Sequence, residues 1–257
     1  MTNQALSMQQ TCPVCGAVSH ALDVVDFNKS CIESDNKFLP LSGIPIYYFL
    51  CEECAFCFAP EICQWPVSEF ESKIYNEAYI EVDPDYVDAR PRNNAANLIG
   101  MFGDMGKQFR HLDYGGGGGL LSAVLRDAGW NSHSYDPFAN KDVRPEDLGR
   151  FDLISAFEVF EHVPDPVALM QGLGALLAPD GAVLFTTLLS DENIKHNQRL
   201  NWWYAAPRNG HISLFSTKSL SILVQRDGFS FDSLSAGVHI LWKNSPPLWA
   251  QQFIEAE

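Results

Sequence analysis

The sequence lacks a run of apolar residues long enough to cross a membrane, and it has few basic side chains. A membrane-spanning helix needs about 20 consecutive apolar residues. Lysine and arginine together number 17 against 32 aspartates and glutamates, which gives a formal net charge of −15. Because proteins bind phosphate backbones and anionic membranes through basic side chains, this balance argues against both partners. The first ten residues also lack the basic and apolar segments of an export signal, so we expect a cytoplasmic protein.

The cysteines, seven in number, fit a complete set of disulfides poorly because their count is odd. In a protein that is not exported they stay reduced. Cys12 with Cys15, and Cys51 with Cys54, form two Cys-x-x-Cys pairs that are separated by 35 residues. Two such pairs supply four thiolates for a tetrahedral ion, so the spacing predicts a structural zinc site. An iron–sulfur alternative that adds Cys57 to the second pair leaves its fourth ligand arbitrary.

The chain divides into three stretches that differ in composition and in predicted secondary structure. The predicted organisation is a small cysteine-rich zinc-binding module at 1–65, a helical connector or lid at 66–100, and a cofactor-binding domain at 101–257. In the last stretch strand-like and helix-like segments alternate, which is typical of an α/β fold with a parallel sheet covered by helices. The final strand-like segments, 229–235 and 237–243, are predicted to pair as an antiparallel hairpin.

Five consecutive glycines follow a predicted strand that ends at Tyr114 and precede a predicted helix that begins at Leu120. Their spacing is G-x-G-x-G, without the third glycine of a dinucleotide fingerprint or the Lys-Ser/Thr of a nucleoside-triphosphate loop. This favours a nucleoside ligand that lacks phosphate. Asp136 lies 21 residues after Gly115, at the end of the next predicted strand, where a carboxylate can accept both ribose hydroxyls. A simple turn at Asp136–Pro137 is the plainer alternative.

The segment 151–166, FDLISAFEVFEHVPDP, together with LDYGGGGG, YDP and LLAPDGAVLFTT, resembles the class I S-adenosylmethionine-dependent methyltransferases. The tail GHISLFSTKSLSILVQRDGF at 210–229 is similar to the closing helix and strands of the same branch. The resemblance covers about 110–243. It implies a Rossmann-like methyltransferase sheet with a final antiparallel strand, and S-adenosylmethionine as the cofactor.

The resemblance also implies roles for particular residues. The loop glycines would lie against the methionine part and the ribose, Asp113 would support the amino-acid end, and Asp136 would bind the ribose hydroxyls. Phe157 and Glu158 would border the methionine and the sulfonium, where an electron-rich wall suits the positive sulfur. The cofactor contacts expected in this way are Asp113, Tyr114, Gly115, Gly117, Gly119, Asp136, Phe157 and Glu158.

One departure from the family pattern concerns the third strand. Only 15 residues separate Asp136 from Asp152, where the family fits a helix, a strand and an acidic contact to adenine. We therefore expect the helix to be reduced to a segment near 141–147 and the sheet to lack a normal edge strand. Asp142 and Asp147 are the residues left for the adenine contact.

A hydroxyl or amine acceptor needs a base for its proton, and the catalytic candidates are His162, Glu158 and His211. A histidine that caps or packs at a helix start is the plainer alternative for His162. In some relatives with the Glu-x-x-Glu-His pattern these side chains are associated with a divalent cation, so a magnesium site on Glu158, Glu161 and His162 stays open. Tyr75 is predicted either to close over the cofactor, together with Tyr79, or to pack the modules.

The cysteine pairs resemble the N-terminal zinc modules attached to some methyltransferases, including those that act on nucleotide-linked sugars. We therefore expect methyl transfer to a small-molecule acceptor, with Trp202, Trp203 and Tyr204 as candidates for the acceptor pocket or for core. Two alternatives stay open. One is a ribosomal RNA methyltransferase, which the acidic charge opposes, and the other is a non-catalytic protein that retains the fold. The oligomeric state is not predicted.

Overall fold

A computed structural model describes residues 8–140 and 142–254 of the chain. These residues fall into two compact units, each built from separate stretches of sequence. The cysteine unit comprises Met1–Tyr75, Glu161–Val167 and Leu189–Leu223. The glycine-loop unit comprises Asn76–Phe160, Ala168–Leu188 and Val224–Glu257.

The elements of the described residues are as follows. The strands are β1 Gln9–Thr11, β2 Val18–Asp26, β3 Pro45–Cys51, β4 Cys57–Phe58, β5 Arg110–Tyr114, β6 Asn131–Tyr135, β7 Phe151–Ala156, β8 Leu177–Thr186, β9 Ser213–Leu214, β10 Phe229–Ser233 and β11 Val238–Lys243. The helices are α1 Pro60–Cys63, α2 Val67–Lys73, α3 Tyr79–Val82, α4 Ala89–Phe102, α5 Leu120–Asp127, α6 Pro166–Leu176, α7 Thr217–Gln225 and α8 Leu248–Ile254. None of these helices is both long and apolar enough to span a membrane.

The cysteine unit contains an antiparallel sheet in the order β1-β2-β3-β4-β9. Its central strand, β3, is an apolar run, and Tyr48 to Cys51 are buried. The short strand β9 pairs with β4 through Leu214 and Ser213. This pairing brings residues from the C-terminal half of the sequence onto the edge of an N-terminal sheet.

The glycine-loop unit contains a six-stranded sheet in the order β10-β11-β8-β7-β5-β6. Strands β6, β5, β7 and β8 are parallel, whereas β11 is antiparallel to both β8 and β10. The predicted Rossmann-like sheet and the predicted final hairpin are both confirmed. Because open parallel sheets bind ligands beyond the carboxyl ends of their strands, we expect a ligand site at the segments that follow β5, β6 and β7.

The apolar faces of α4 and α5 form a hydrophobic core of this unit with the sheet. Burial of such faces supplies roughly 25 cal/mol for each Å² of apolar surface removed from water. The core residues on these elements are Ala95, Leu98, Phe102, Leu121, Leu125, Leu153, Leu184 and Ile240. This packing fixes α5, and with it the C-terminal end of the glycine loop.

Helix starts follow local capping chemistry. The Ser216 hydroxyl accepts the amide of Ser219 at 3.0 Å, so Ser216 is the N-cap of α7. At α6 the Asp165 carboxylate accepts the amide of Val167 at 3.0 Å, and Pro166 occupies the first helical position, where its missing N–H is no loss.

The connection between β6 and β7 is as short as the spacing of Asp136 and Asp152 predicted. Among its described residues the only regular element is a 3-10 turn at Pro145–Leu148, and β6 is the edge strand of the sheet. The segment predicted at 141–147 begins at Lys141, which lies outside the described residues. Asp147 is exposed and pairs with Arg144 at 2.9 Å, and Asp142 is also exposed.

Candidate active site

The glycine loop joins β5 to α5 and follows the backbone path that its composition predicts. Gly115, Gly117 and Gly119 have φ angles of 76°, 51° and 75°, in the left-handed region that L side chains rarely adopt. Gly115 is also packed closely, because a Cβ atom there would lie 2.6 Å from Cγ2 of Val159. Its amide donates to the carbonyl of Tyr135 at 2.8 Å, which holds the loop against the end of β6.

Gly116 has an ordinary φ but no room for a side chain. A Cβ atom there would lie 2.3 Å from Oδ2 of Asp113 and 2.4 Å from Oγ of Ser134. We therefore expect Gly116→Ala to lower the free energy of unfolding by about 1–3 kcal/mol, the usual cost of overpacking. Gly118 is the matched control, because a Cβ atom there meets nothing within 4 Å and its φ is also ordinary. Urea denaturation of both variants measures the difference, and equal stabilities would contradict the close packing.

Asp136 lies directly after β6 and connects that strand end to the glycine loop. Its Oδ2 accepts the amide of Gly117 at 3.0 Å. Its Oδ1 accepts the amides of Phe138 and Ala139 at 2.8 and 3.1 Å. Asp136 thus caps a turn, as expected from the alternative interpretation of Asp136–Pro137 as a simple turn. The same hydrogen bonds fix its carboxylate beside the glycine loop.

Phe157 and Glu158 follow β7 at the same edge of the sheet, and both are partly buried. Glu158 has a φ of 54°, which is uncommon for a residue other than glycine, asparagine or aspartate. Thr186, at the end of β8, supports this conformation. Its hydroxyl accepts the Glu158 amide at 2.9 Å and donates to Glu158 Oε1 at 3.0 Å. Unusual backbone held by such contacts is common at functional sites.

Asp113 ends a buried chain of hydrogen bonds that crosses the sheet. Ser122 Oγ donates to the carbonyl of His133 at 2.7 Å, so Ser132 Oγ must donate to Ser122 Oγ, 2.9 Å away. Ser132 then accepts from Nδ1–H of His111 at 2.8 Å. A neutral imidazole has one N–H, so Nε2 of His111 accepts from the Ser155 hydroxyl at 3.0 Å.

Because the Ser155 proton is used in this way, its contact with Asp113 Oδ1 at 3.1 Å is a hydrogen bond only when Asp113 is protonated. The alternative, a charged His111 and an ionised Asp113, has the same number of protons but buries two charges. Burial raises the pKa of Asp113 to about 7 and lowers that of His111 to about 3. Both shifts favour the neutral pair.

The pair predicts opposite pH dependences for two variants. In wild type between about pH 4 and 6.5, the pair binds one proton in both states: Asp113 holds it in the folded protein and His111 holds it in the unfolded chain. The pair therefore does not make the free energy of unfolding depend on pH in this range. In Asp113→Asn, His111 binds its proton only when unfolded, so stability rises with pH by about 1.4 kcal/mol per unit relative to wild type. In His111→Gln, Asp113 binds its proton only when folded, so stability falls with pH by a similar slope. Urea midpoints at three pH values measure both, and slopes of the same sign would contradict the neutral pair.

In the cysteine unit, Glu161, His162 and His211 form a second cluster of chemical groups. One side-chain ligand atom from each lies within 4.8 Å of the others, and the two imidazole rings are 4.8 Å apart in an edge-on arrangement. Glu161 is fully buried, His211 is buried and His162 is partly buried. This cluster contains His211 in place of Glu158, which was the third ligand of the magnesium site considered from the sequence.

Hydrogen bonds orient each member of this cluster. The Tyr204 hydroxyl donates to Glu161 Oε1 at 2.6 Å, and the Tyr204 carbonyl lies 2.8 Å from His211 Nδ1. Because a carbonyl can only accept, Nδ1 of His211 carries the proton and Nε2 carries the lone pair. The Tyr75 hydroxyl lies 3.3 Å from His162 Nδ1, and Cys31 Sγ lies 3.7 Å from His211 Nδ1.

Tyr79, predicted to close over the cofactor, and the aromatic residues predicted to line an acceptor pocket lie in different units. The Tyr204 ring packs against the His211 ring in a tilted arrangement with centroids 4.2 Å apart, and Trp202 and Trp203 contact the Tyr204 ring. Tyr79 is buried in the glycine-loop unit, where its ring meets that of Tyr86 edge-on at 5.0 Å.

The two Cys-x-x-Cys pairs come together in the cysteine unit. Sγ of Cys12 lies 3.6 Å from that of Cys54, and Sγ of Cys15 lies 3.4 Å from that of Cys51. Four ligands at about 2.3 Å from a tetrahedral ion would be roughly 3.8 Å apart, so this donor set fits zinc. The thiol of Cys54 lowers the pKa of Cys12 to about 5 by hydrogen bonding, which favours a thiolate there.

Each pair is held by the same kind of turn. The amide of Gly16 donates to the Cys12 carbonyl at 2.9 Å, and that of Ala55 donates to the Cys51 carbonyl at 3.1 Å. Gly16 and Ala55 both have positive φ angles, 80° and 55°. Cys57 lies outside this group of four, on β4, and burial raises the pKa of its thiol well above the usual range. The arrangement therefore uses both pairs, as the zinc interpretation predicted.

The sequence did not predict the partners of several site residues. Only the fold brings Tyr204 to Glu161, Thr186 to Glu158, Ser155 to Asp113 and Cys31 to His211. Buried polar side chains need hydrogen-bond partners, but the sequence does not say which.

The sequence model of a methyltransferase-domain family matches residues 81–234, which is more than half of the chain. The chain belongs to this methyltransferase-domain family. The matched residues of this chain include the glycine loop, Asp136, Glu158 and His211. The match leaves out the four clustered cysteines.

Curated relatives match the chain over shorter stretches. The ubiquinone biosynthesis O-methyltransferase of Actinobacillus pleuropneumoniae is 31% identical over an alignment of 116 residues, and the match covers 35% of this chain and 47% of that protein. The enzyme of the same name from Xanthomonas campestris is 34% identical over an alignment of 102 residues, and the match covers 31% of this chain and 43% of that protein. The chain thus spans less than half the length of these relatives.

Two solved structures from Burkholderia thailandensis are similar to this chain. An O-methyltransferase family protein has 16% identity and a TM-score of 0.48, and the match covers 72% of this chain and 67% of that one. The 1,6-didemethyltoxoflavin-N1-methyltransferase has 18% identity and a TM-score of 0.45, with 74% and 94% covered.

Proposed function

We propose that this chain binds S-adenosylmethionine at the glycine loop and transfers its methyl group to a small-molecule acceptor. The observation that carries the proposal is the Asp136 carboxylate fixed 3.0 Å from the amide of Gly117, at the end of the strand next to the loop. A glycine loop without phosphate-binding features and a carboxylate at the next strand end suit a ribose without a phosphate. Membership of the methyltransferase-domain family supports the choice of cofactor.

When bound, S-adenosylmethionine supplies a methyl group on a positively charged sulfur. In our proposal Gly115, Gly117 and Gly119 give close backbone approach, and Asp136 binds the ribose hydroxyls. Glu158, held by Thr186, presents a carboxylate toward the methionine and the sulfonium. The adjacent Phe157 excludes water, which strengthens attraction between opposite charges.

Asp113 and Tyr114 complete the proposed cofactor site at the end of β5. Asp113 is almost fully buried, and its carboxyl group is held by Ser155 at 3.1 Å, so it supports the loop beneath Gly116. Burial raises the pKa of Tyr114 to about 12, so its hydroxyl stays a neutral hydrogen-bond group at physiological pH.

For the acceptor we propose a hydroxyl-bearing metabolite, because the curated relatives are O-methyltransferases by name. A hydroxyl must lose its proton, and His211 is the proposed base because its Nδ1–H is fixed on the Tyr204 carbonyl and its Nε2 carries the lone pair. The adjacent His162 is the second candidate.

We also propose that Cys12, Cys15, Cys51 and Cys54 bind one Zn²⁺ ion. Four thiolates leave no open coordination position, so the ion has a structural role. Thiolates persist where disulfides are reduced, so we place the protein in the cytoplasm.

Calorimetry with S-adenosylmethionine and S-adenosylhomocysteine tests the cofactor proposal. We expect both to bind with a stoichiometry of about one per chain, and absence of binding by either would overturn the proposal. Methyl-labelled S-adenosylmethionine then tests the acceptor class. Label should appear in a metabolite extract freed of macromolecules. Transfer only to total RNA would favour the RNA alternative, and cofactor binding without transfer to either extract would favour a non-catalytic role.

A further inference from the structure

We infer that the cysteine unit carries a small-molecule site of its own, a surface cavity that binds a neutral polyol such as a sugar or a cyclitol. The cavity has a volume of about 540 Å³, within the range of roughly 300–1,000 Å³ that is typical of small-molecule sites. Its polar lining consists of His20, Glu52, His196 and Asn197, and all four side chains are reachable from solvent. Every lining residue belongs to the cysteine unit, so the inference goes beyond the proposed methyl transfer.

An irregularity in β2 shapes the apolar part of the lining. The register between β2 and β3 shifts between Ala21 and Asp23, so Leu22 has no partner on β3. Such bulges bend a strand and re-aim its side chains, and they are over-represented next to active sites. Leu22 lines the cavity and supplies apolar surface beside the polar groups. A mixed lining of this kind suits a polyol, which presents C–H groups as well as hydroxyls.

The loop that carries His196 and Asn197 is fastened to the same strand. Oδ2 of Asp23 accepts the amide of Leu200 at 2.8 Å and lies 2.9 Å from Nε of Arg199. The Asp23 side chain is only 8% exposed, which limits competition from water for these bonds. Because Asp23 directly follows the bulge, one side chain joins the strand part and the loop part of the lining. A cavity that is formed in advance loses less conformational entropy when a ligand binds.

The polar groups of the lining offer both hydrogen-bond donors and acceptors. Nε2 of His20 lies 3.2 Å from Oε2 of Glu52. An ionised carboxylate can only accept, so Nε2 carries a proton, and Nδ1 of the neutral ring presents a lone pair. Oε1 of Glu52 is a second acceptor, and the amide of Asn197 both donates and accepts. Each hydroxyl group of a ligand likewise donates and accepts, so the lining matches a molecule with several hydroxyls.

The charges at the cavity favour a neutral ligand over an ionic one. Glu52 contacts the imidazole of His20, and Asp23 is paired with Arg199 beside the cavity. A bound anion would lie near the Glu52 carboxylate and be repelled by it. A bound cation would compete with the N–H of His20 for the same carboxylate. A neutral polyol avoids both costs and can use the free acceptor positions of Glu52.

Nuclear magnetic resonance titration of the zinc-loaded full chain tests the site. The neutral probes are D-glucose, D-galactose and myo-inositol, and the charged probes are D-glucuronate and D-glucosamine. We expect at least one neutral probe to shift the backbone amide signals of Leu22 and Asn197. Its Kd should be about 1–10 mM, the range for a polar ligand of about a dozen heavy atoms. The charged probes should bind no more tightly. The titration needs no cofactor, so its outcome is separate from that of the proposed function.

Two neighbouring carboxylates provide a matched comparison. Glu52→Ala should weaken binding of the neutral probe at least about 10-fold, because hydrogen bonds to a charged acceptor are lost. Glu53→Ala is the control, since Glu53 is an exposed carboxylate of the same Cys-x-x-Cys turn that does not line the cavity. The Glu52 side chain is 48% exposed, so we expect both variants to fold and to keep their zinc.

Two asparagines of the loop provide a second comparison. Asn197 has a φ of 62°, which glycine adopts without strain, so Asn197→Gly removes the amide and leaves the backbone path open. This variant should bind the neutral probe about 2- to 10-fold more weakly. Asn193→Ala, at an exposed position outside the cavity, should bind it as wild type does. Three results would overturn the inference: no shift at the cavity with any neutral probe, tighter binding of a charged probe, or equal binding by all four variants.

Discussion

Replacement of Cys12 and Cys51 by serine is expected to remove one zinc ion per chain and to unfold the cysteine unit. The reason is energetic, because binding of a structural zinc ion contributes about 10–16 kcal/mol of apparent free energy at neutral pH, more than the net stability of a typical domain. Each substitution removes one sulfur from a different pair, and the remaining sulfurs of Cys54 and Cys15, 3.6 and 3.4 Å from the lost ones, would be left without a cation.

Elemental analysis and circular dichroism of the purified variant measure the two effects. Cys63→Ser is the matched control, since Cys63 is a partly buried thiol of the same unit that lies outside the group of four. The control should keep zinc near one per chain and an unchanged melting temperature. If the double variant keeps its zinc, or if wild type loses zinc to a chelator without loss of structure, the structural role of the ion is wrong.

The sequence predicted the glycine-loop unit well because its signals are local. A strand followed by glycines and a helix, and an aspartate at the next strand end, can be recognised within about thirty residues. The structure places Gly115, Asp136 and Glu158 after β5, β6 and β7, as the order of the predicted elements required. Even the missing edge strand was predicted, since it depended only on the distance between Asp136 and Asp152.

The cysteine unit shows what such reasoning leaves out. Strand β9 has two residues, too few for any periodic pattern, and its pairing with β4 joins Cys57 to Leu214. His162 and His211 were separate candidates in the sequence, and their rings lie 4.8 Å apart in a fold where the amide of Ile212 donates to the carbonyl of Glu161 at 2.9 Å. Contacts of this kind depend on tertiary packing, which overrides local preference for short strands.

The sequence offered two interpretations of Asp136, a simple turn and a ribose-binding carboxylate. Its carboxylate accepts the amides of Gly117, Phe138 and Ala139, so the residue is a turn cap and a candidate ribose ligand at once. The two roles are compatible, because a carboxylate has about four lone-pair sites. A variant at this position therefore changes both the loop and the proposed contact, and the two effects must be separated by design.

Asp136→Ala should weaken S-adenosylhomocysteine binding at least about 100-fold. The ribose hydroxyls would lose hydrogen bonds to a charged acceptor, and each such bond contributes about 1.5–3 kcal/mol. Asn140→Ala is the matched control, because the Asn140 side chain accepts the Asp136 amide at 2.8 Å and stabilises the same turn without supplying the carboxylate. Calorimetry should show a small change for Asn140→Ala and a large one for Asp136→Ala. Equal losses would indicate that the turn, not the carboxylate, determines affinity, and unchanged affinity in Asp136→Ala would show that the ribose lies elsewhere.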